Sequence, residues 1–144
     1  MSKYKLIIAG SRHFVDEYKA VEVINFLMKQ DHIPDESQLE IVCGEARGAD
    51  TVGRNIAEHN NIPIASFPAD WEKHGRGAGY IRNSAMANYA DGAVIFWDGS
   101  SKGSKHMRDL MIKIGKFCHV VYIPKPGRQS YENEQQQLTF PQQD

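Results

Sequence analysis

The chain has 144 residues, a length that suits one domain with its own hydrophobic core. Its 17 basic and 18 acidic side chains give a formal net charge of −1, which excludes a bulk electrostatic attraction to nucleic acid or to an anionic membrane. The two cysteines, Cys43 and Cys118, lie inside apolar runs without metal-type spacing, which favours buried thiols over a disulfide. The first apolar run ends at Gly10, too early for a signal peptide or a membrane span. We therefore expect a soluble cytoplasmic protein that binds no membrane.

The first half of the chain alternates apolar runs with segments of helical periodicity. The apolar runs predict strands at residues 4–9, 39–43 and 62–67. The periodic segments predict helices at residues 16–30 and 48–60.

The second half begins with a long loop rich in glycine and charge, residues 68–79 (PADWEKHGRGAG). Two further strands are predicted at residues 92–97 and 117–123, and two further helices at residues 80–89 and 105–115. From Lys125 onward the composition turns to Pro, Gly and Gln, which is typical of a flexible tail. The domain is therefore expected over residues 1–124 and the tail over residues 125–144.

Strands that are apolar throughout and alternate with helices indicate a parallel sheet covered on both faces. We predict a single Rossmann-like, doubly wound, mainly parallel five-stranded sheet with the strand order 3-2-1-4-5. In that order the chain reverses between strands 1 and 4, and ligands bind outside the C-terminal strand ends at this switch point. The exits of strands 1, 2 and 4 then converge on one edge.

The exit of strand 1 reads AGSRHF (residues 9–14). Gly10 permits a tight turn, the Ser11 hydroxyl and the local N–H groups suit an anion, and Arg12 can pair with it bidentately. The alternative is a plain strand–helix turn with a solvated Arg12. The further glycines of a dinucleotide fingerprint are absent, and so is the pattern GxxxxGK[ST].

The exit of strand 4 reads WDGSSKGSKHM (residues 97–107) and is the stronger phosphate candidate. Gly99 and Gly103 free the backbone for a nest of N–H groups, and the following helix presents its positive end. Hydroxyl and ammonium groups are supplied by Ser100, Ser101, Ser104, Lys102 and Lys105. The alternative for Ser104 is a simple helix N-cap.

Carboxylates stand in the exit of strand 2, CGEARGAD (residues 43–50), although carboxylates repel phosphate. One interpretation of Glu45 and Asp50 is a favourable interaction with the helix dipole. The other is a contact with ribose hydroxyls, or acid–base chemistry beside a phosphate site. Arg82 in YIRNSAM either reaches the ligand edge or is a surface arginine, and Trp71 either stacks on a base or covers the core. Asp70 and His74 do not form a convincing metal pair, so no metal is predicted.

As an ordered set, AGSR, CGEARGAD, GYIRNSAM and ADGAVIFWDGSSKGSKHM resemble the YspA, cpYpsA-related branch of the SLOG superfamily, over residues 4–123. That Rossmann-like superfamily includes YpsA, the "lonely guy" cytokinin-activating proteins and the fold of DNA processing protein A. The resemblance implies a nucleotide or nucleotide-derived ligand, of the AMP or ADP-ribose type, at the switch point. The ligand-binding residues it implies are Gly10, Ser11, Arg12, Gly44, Glu45, Gly48, Asp50, Arg82, Asn83, Asp98, Gly99, Ser101, Gly103 and Ser104.

The lonely guy enzymes cleave the N-glycosidic bond of a nucleoside monophosphate, with a helix arginine and a PGGxGTxxE loop whose glutamate is catalytic. Arg82 matches the arginine, but the glutamate position falls near His106 or Met107 and is not acidic. The leading hypothesis is therefore a ligand-binding sensor or regulator. The alternative is an N-glycosidase, or phosphoribohydrolase, in which Glu45, Asp50 and Arg82 are catalytic, with Asp98 as a further substitute for the missing acid.

A nucleic-acid-binding module is the third hypothesis, and the net charge argues against it. The predicted partner is thus a small nucleotide-type molecule, with no cofactor. Relatives of this kind pair through helices, so a homo-oligomer is also considered. Met86, Tyr89 and Met107 lie either on such a shared face or in the core.

Overall fold

The computed structural model of the chain describes residues 2–125, so residues 126–144 of the predicted tail lie outside the described residues. The sheet has five strands, in chain order β1 (Tyr4–Gly10), β2 (Leu39–Cys43), β3 (Ile64–Ser66), β4 (Gly92–Trp97) and β5 (Phe117–Tyr122). All neighbours pair in parallel in the order β3-β2-β1-β4-β5. The predicted strand order and the doubly wound fold are confirmed.

The helices are α1 (Glu17–Lys29), α2 (Ala49–His59), α3 (Trp71–His74), α4 (Ala78–Tyr89) and α5 (Lys102–Lys113), and two 3-10 turns lie at Glu36–Gln38 and Gly75–Gly77. The sequence missed α3, which forms because the Asp70 carboxylate accepts a hydrogen bond from the N–H of Lys73 at 3.1 Å. It also placed the start of α5 at residue 105. Ser101 takes the N-cap position instead, so Lys102, Gly103 and Ser104 belong to the first turn of the helix.

The core consists of two layers, one on each face of the sheet. In β1, Leu6 and Ile8 face α1 and α2, whereas Ile7 faces α4 and α5, which explains why the strand is apolar throughout. Met86 and Met107 are each 1% exposed and belong to the second layer. Their placement on a face shared between copies is therefore wrong, because both side chains are buried within one chain. Among the described residues, no helix is long and apolar enough to cross a bilayer.

The tightest backbone contact joins β1 to β4. Gly10 has a φ of +150°, and a Cβ built on it would stand 2.1 Å from the carbonyl oxygen of Phe96. That same oxygen accepts a hydrogen bond from the N–H of Ser11 at 2.9 Å. A side chain at this position would push the two strand ends apart.

We predict that Gly10→Ala lowers the free energy of unfolding by about 3 kcal/mol, because the rigid backbone of β4 cannot yield to the new methyl group. The measurement is urea unfolding followed by circular dichroism. Gly103→Ala is the matched control, since no heavy atom lies within 4 Å of its Cβ position. Equal losses in the two variants would contradict this account of Gly10.

Candidate functional site

A cleft of about 860 Å³ opens at the C-terminal edge of the sheet, at the switch point between β1 and β4. Its walls come from the strand-1 loop (residues 10–13), the strand-2 loop (residues 44–48), the strand-4 loop (residues 98–101) and the first turns of α4 and α5. Every residue predicted to bind a ligand lines this cleft except Gly48 and Gly99. The edge predicted from the strand order is thus the edge where the polar side chains gather.

Gly48 lies behind the cleft and packs the strand-2 loop onto the strand-1 loop. Its φ is +79°, and a Cβ there would stand 2.4 Å from the carbonyl oxygen of Ser11 and 2.5 Å from that of Arg12. Gly99, at φ +87°, turns the strand-4 loop and is exposed outside the cleft lining. Both glycines shape the site through the backbone and do not line it, which differs from the role predicted for them.

The strand-4 loop is held by Asp98. One carboxylate oxygen accepts hydrogen bonds from the N–H groups of Ser100 and Ser101, each at 2.9 Å, and the other lies 3.1 Å from Nε2 of His13. Burial alone raises the pKa of Asp98, but these hydrogen bonds and the imidazole outweigh it and hold the pKa below its usual range. Two of the amides predicted to form a phosphate nest are therefore occupied by a carboxylate of the same loop.

Ser11 joins the strand-1 loop to the strand-4 loop. Its side chain is 1% exposed, and its hydroxyl oxygen accepts a hydrogen bond from the N–H of Asp98 at 3.2 Å. That oxygen is used in the fold, and only the hydroxyl hydrogen is left to donate to an anion.

The N-terminus of α5 differs from the strand-4 loop, because no side chain caps its N–H groups. Ser101 makes no side-chain cap to the backbone, and its hydroxyl accepts a hydrogen bond from the Ser104 hydroxyl at 3.3 Å instead. The N–H groups of the first turn therefore face the cleft without a side-chain cap. By contrast, the N-terminus of α1, which does not line the cleft, is capped by Asp16 at 2.9 Å.

Cations outnumber carboxyl groups in the cleft. The permanently charged cations that line it are Arg12, Arg47, Arg76, Arg82 and Lys102, and the carboxyl groups are those of Glu45, Asp50 and Asp98. Within the described residues, none of these five cations lies within 4 Å of a carboxylate. The cleft is thus locally positive although the whole chain is not.

Glu45 is an exposed residue of the strand-2 loop with a left-handed backbone, at φ +62°. Its carboxylate forms an ion pair with Arg54 of α2. A hydrogen bond with the Ser66 hydroxyl, and the Arg54 guanidinium, lower the pKa of Glu45 in spite of slight burial. Glu45 therefore stays ionised and is already neutralised by the protein.

Asp50 has the opposite environment. It is half-buried in the first turn of α2, and burial raises its pKa even though the N–H of Ala46, at 3.0 Å, and the nearby Arg82 guanidinium both lower it. A raised pKa increases the protonated fraction towards neutral pH. Of the two acids in this motif, Asp50 is the one that faces the cleft without a paired cation at its carboxylate.

Arg82 and Asn83 brace α4 against the loops on either side of it. Arg82 donates to the Asn83 side-chain oxygen at 3.0 Å and to the carbonyl oxygen of Gly44. Asn83, 7% exposed, donates to the carbonyl oxygen of Gly103 at 3.2 Å. Gly44 permits this arrangement, since a Cβ there would stand 2.8 Å from the Arg82 guanidinium. Asn83 therefore positions the arginine and α5, and because it also lines the cleft, its contact with a ligand stays a prediction.

Two aromatic residues complete the cleft, and neither was among the predicted site residues. Trp71 in α3 is 57% exposed and Tyr80 in α4 is 46% exposed, and both line the cleft. Because Trp71 is this exposed, it does not cover the core, and that alternative is excluded. Arg47 and Arg76 also line the cleft and were missed as site residues, whereas Lys102 had been considered with the strand-4 loop.

Comparisons with known proteins bear on the family and the fold. A model of the YspA, cpYpsA-related SLOG family matches residues 4–74. The Gene 61 protein of Mycobacterium phage D29 is 39% identical over 108 residues, which cover 71% of this chain and 83% of that protein. The crystal structure of DNA processing protein A from Streptococcus pneumoniae has a similar fold, with a TM-score of 0.65 and 18% identity. That match covers 96% of this chain but 57% of the other, so the chain spans little more than half of that protein.

We predict that Asp98→Asn lowers the free energy of unfolding at pH 7 by about 2 kcal/mol, because charge-assisted hydrogen bonds to the strand-4 loop weaken. The folded pKa lies below the ordinary value of 3.8, so the stabilisation is complete above that value and is lost as the pH falls through the folded pKa. Urea unfolding should therefore show a smaller difference between variant and parent at pH 3 than at pH 7.

Asp109→Asn is the control for this experiment, because the Asp109 carboxylate is exposed and pairs only with surface cations. It should change stability little at either pH. A loss in Asp98→Asn that does not vary with pH would contradict the role given to the charge.

Proposed function

The chain belongs to the YspA, cpYpsA-related SLOG family, and on that premise we propose that it binds a nucleotide or nucleotide-derived ligand, of the AMP or ADP-ribose type, as a sensor or regulator. One observation carries the proposal. The same cleft combines an uncapped helix N-terminus and unpaired cations with a half-buried carboxyl group. A phosphate needs the first two, and the hydroxyls of a sugar need an acceptor such as the third.

The phosphate is proposed to bind at the N-terminus of α5. The first-turn N–H groups of Gly103 and Ser104 would donate to its oxygens, and Lys102 and Arg12 would neutralise its charge. Gly103 suits this role because open space surrounds its Cβ position, which lets a phosphate approach the backbone closely.

The sugar is proposed to lie over the strand-2 loop, beside Asp50. Adjacent parallel strands are about 4.8 Å apart, so the exits of β2 and β4 are separated by about 10 Å, with β1 between them. A 5′-phosphate and the hydroxyls of its ribose can bridge that separation together with a hydrogen bond of about 3 Å at each end. Glu45 is less suited to this contact because Arg54 already neutralises its carboxylate.

The residues near the position of the catalytic glutamate of the lonely guy enzymes favour ligand binding without catalysis. Met107 is 1% exposed, and the half-buried His106 accepts a hydrogen bond from Asn83 at 3.3 Å. Neither side chain can supply a carboxyl group there. A sensor or regulator needs only the binding groups that the cleft retains.

We expect Lys102→Glu to weaken the binding of AMP or ADP-ribose at least tenfold, because a carboxylate would face the phosphate at the helix N-terminus. Isothermal titration calorimetry is the measurement. Lys113→Glu, a charge reversal in the last turn of the same helix and outside the cleft, should leave the affinity unchanged. Equal affinities in both variants, or no binding of any nucleotide by the parent protein below millimolar concentration, would refute the proposal.

An N-glycosidase is the second candidate, and the environment of Asp50 favours it. Burial raises the pKa of Asp50, and a raised pKa suits a carboxyl group that donates a proton to a departing base. Arg82, held by Gly44 and Asn83, lies near enough to lower the same pKa and to contact the ligand. Glu45, whose pKa is lowered, does not suit the acid role.

If the protein is such an enzyme, Asp50→Asn should reduce the release of base from a nucleoside monophosphate by at least a hundredfold while the nucleotide still binds. Release of the base is followed by chromatography. Glu45→Gln is the matched control and should retain most of the activity. No release from a broad panel of nucleotides by the parent protein would exclude this candidate.

Binding of nucleic acid is the third candidate function, although the net charge of the chain argues against it. DNA processing protein A, by its name, acts on DNA, and the five cleft cations would suit a phosphate backbone as well as a single nucleotide. A gel shift with single-stranded DNA at low salt distinguishes this candidate from the first two.

A cytoplasmic location and a homo-oligomer remain part of the proposal. Cys43 and Cys118 are free, and burial raises the pKa of Cys43 to about 12 and that of Cys118 to about 11, which suits unreactive thiols in a reducing compartment. Of the three residues considered for an oligomer face, only Tyr89 is exposed, at 37%.

A further inference from the structure

We propose that Trp71 and Tyr80 form an aromatic rim that holds the nucleobase by stacking and makes the cleft selective for purine nucleotides. The inference rests on the proposed function of the cleft and adds the class of ligand. Both rings line the same cleft as the proposed phosphate site, and both remain largely open to solvent.

Trp71 belongs to neither of the two hydrophobic core clusters of the described residues. Neither α3 nor the 3-10 turn that follows it contributes a buried residue. The indole edge (Cη2) lies 3.6 Å from the Cβ position of Gly79, so the ring rests on the backbone at the start of α4. In the described part of the chain, Trp71 stacks on no other ring. An indole that is 57% exposed beside a cleft thus offers a free π-face.

Tyr80 is oriented before any ligand arrives. Its ring meets the imidazole of His106 edge to face, with the centroids 4.5 Å apart. The imidazole is in turn fixed by the hydrogen bond from Asn83, which also binds the carbonyl oxygen of Gly103. A side chain held in this way loses little conformational entropy when a base stacks on it.

This series of side-chain contacts connects the rim to the proposed phosphate site. Tyr80, His106, Asn83 and Gly103 touch in sequence, and Gly103 belongs to the first turn of α5. The rim therefore lies close to the proposed phosphate site. In this proposal the base stacks on the rim and the sugar contacts Asp50.

The rim selects by stacking area, alongside the guanidinium groups of Arg76 and Arg82, which also line the cleft. Pro68, Ala69 and Gly79, which line the cleft next to the two aromatic residues, carry no polar side-chain atom. The only nearby side-chain amide, Asn83, has both its oxygen and its nitrogen engaged within the protein. Stacking strength then decides between bases, and a two-ring purine covers more of the rim than a one-ring pyrimidine.

The test measures the affinities of AMP, GMP, CMP, ADP-ribose and ribose 5-phosphate by isothermal titration calorimetry, for the parent protein, Trp71→Ala and Trp71→Phe. We expect AMP and GMP to bind more tightly than CMP. Trp71→Ala should weaken AMP about tenfold or more and leave ribose 5-phosphate unchanged, whereas Trp71→Phe should retain most of the affinity. Tyr18→Ala on α1, which removes an aromatic ring that is 89% exposed and far from the cleft lining, is the control and should change nothing.

The possible failures are distinguishable. If the ligands bind but Trp71→Ala binds AMP as the parent does, or CMP binds as tightly as AMP, the rim is overturned while the proposed function stands. If neither the nucleotides nor ribose 5-phosphate bind, the proposed function fails and the rim fails with it. If a single-stranded oligonucleotide binds far more tightly than AMP and also depends on Trp71, the assignment of the rim to a single nucleotide is overturned.

Discussion

The cleft exists because the ends of three parallel strands approach one another with no side chain between them. The carbonyl oxygen of Phe96 stands 2.1 Å from the Cβ position of Gly10, and that of Ser11 stands 2.4 Å from the Cβ position of Gly48. Only glycine fits at either place, and both glycines have positive φ angles. These two backbone contacts fix the relative positions of the three loops whose polar side chains line the cleft.

The acidic and the basic side chains of the cleft have separate roles. Asp98 lies against the His13 imidazole and Glu45 forms an ion pair with Arg54, so these two carboxylates each contact a basic side chain of the protein. Asp50 is left facing the cleft, braced by the strand-2 loop. The carboxylates of the strand-2 loop therefore do not oppose the proposed phosphate, because the N-terminus of α5 follows β4, on the other side of β1.

The sequence predicts the fold better than the site. Continuous apolar runs identify all five strands, and the usual order of such sheets brings the correct loops together. What it does not predict depends on contacts distant in the chain. His13 meets Asp98 across 85 residues, and Gly48 is seen to be a packing residue only once the strand-1 loop is in place. The burial of Asn83 also depends on a distant contact, with the carbonyl oxygen of Gly103. The short helix α3 was missed because it depends on a single N-cap, the carboxylate of Asp70.

The most direct test of the account is a titration of the isotope-labelled protein with AMP, followed by the chemical shifts of its backbone amides. We expect the largest changes at Lys102, Gly103 and Ser104, with a second group in the strand-2 loop and at Asp50, and none along the outer face of α1. Saturating shifts of this pattern would support a single nucleotide site with its phosphate at α5. Shifts that cluster away from these two groups, or no shifts at millimolar AMP and ADP-ribose, would contradict it.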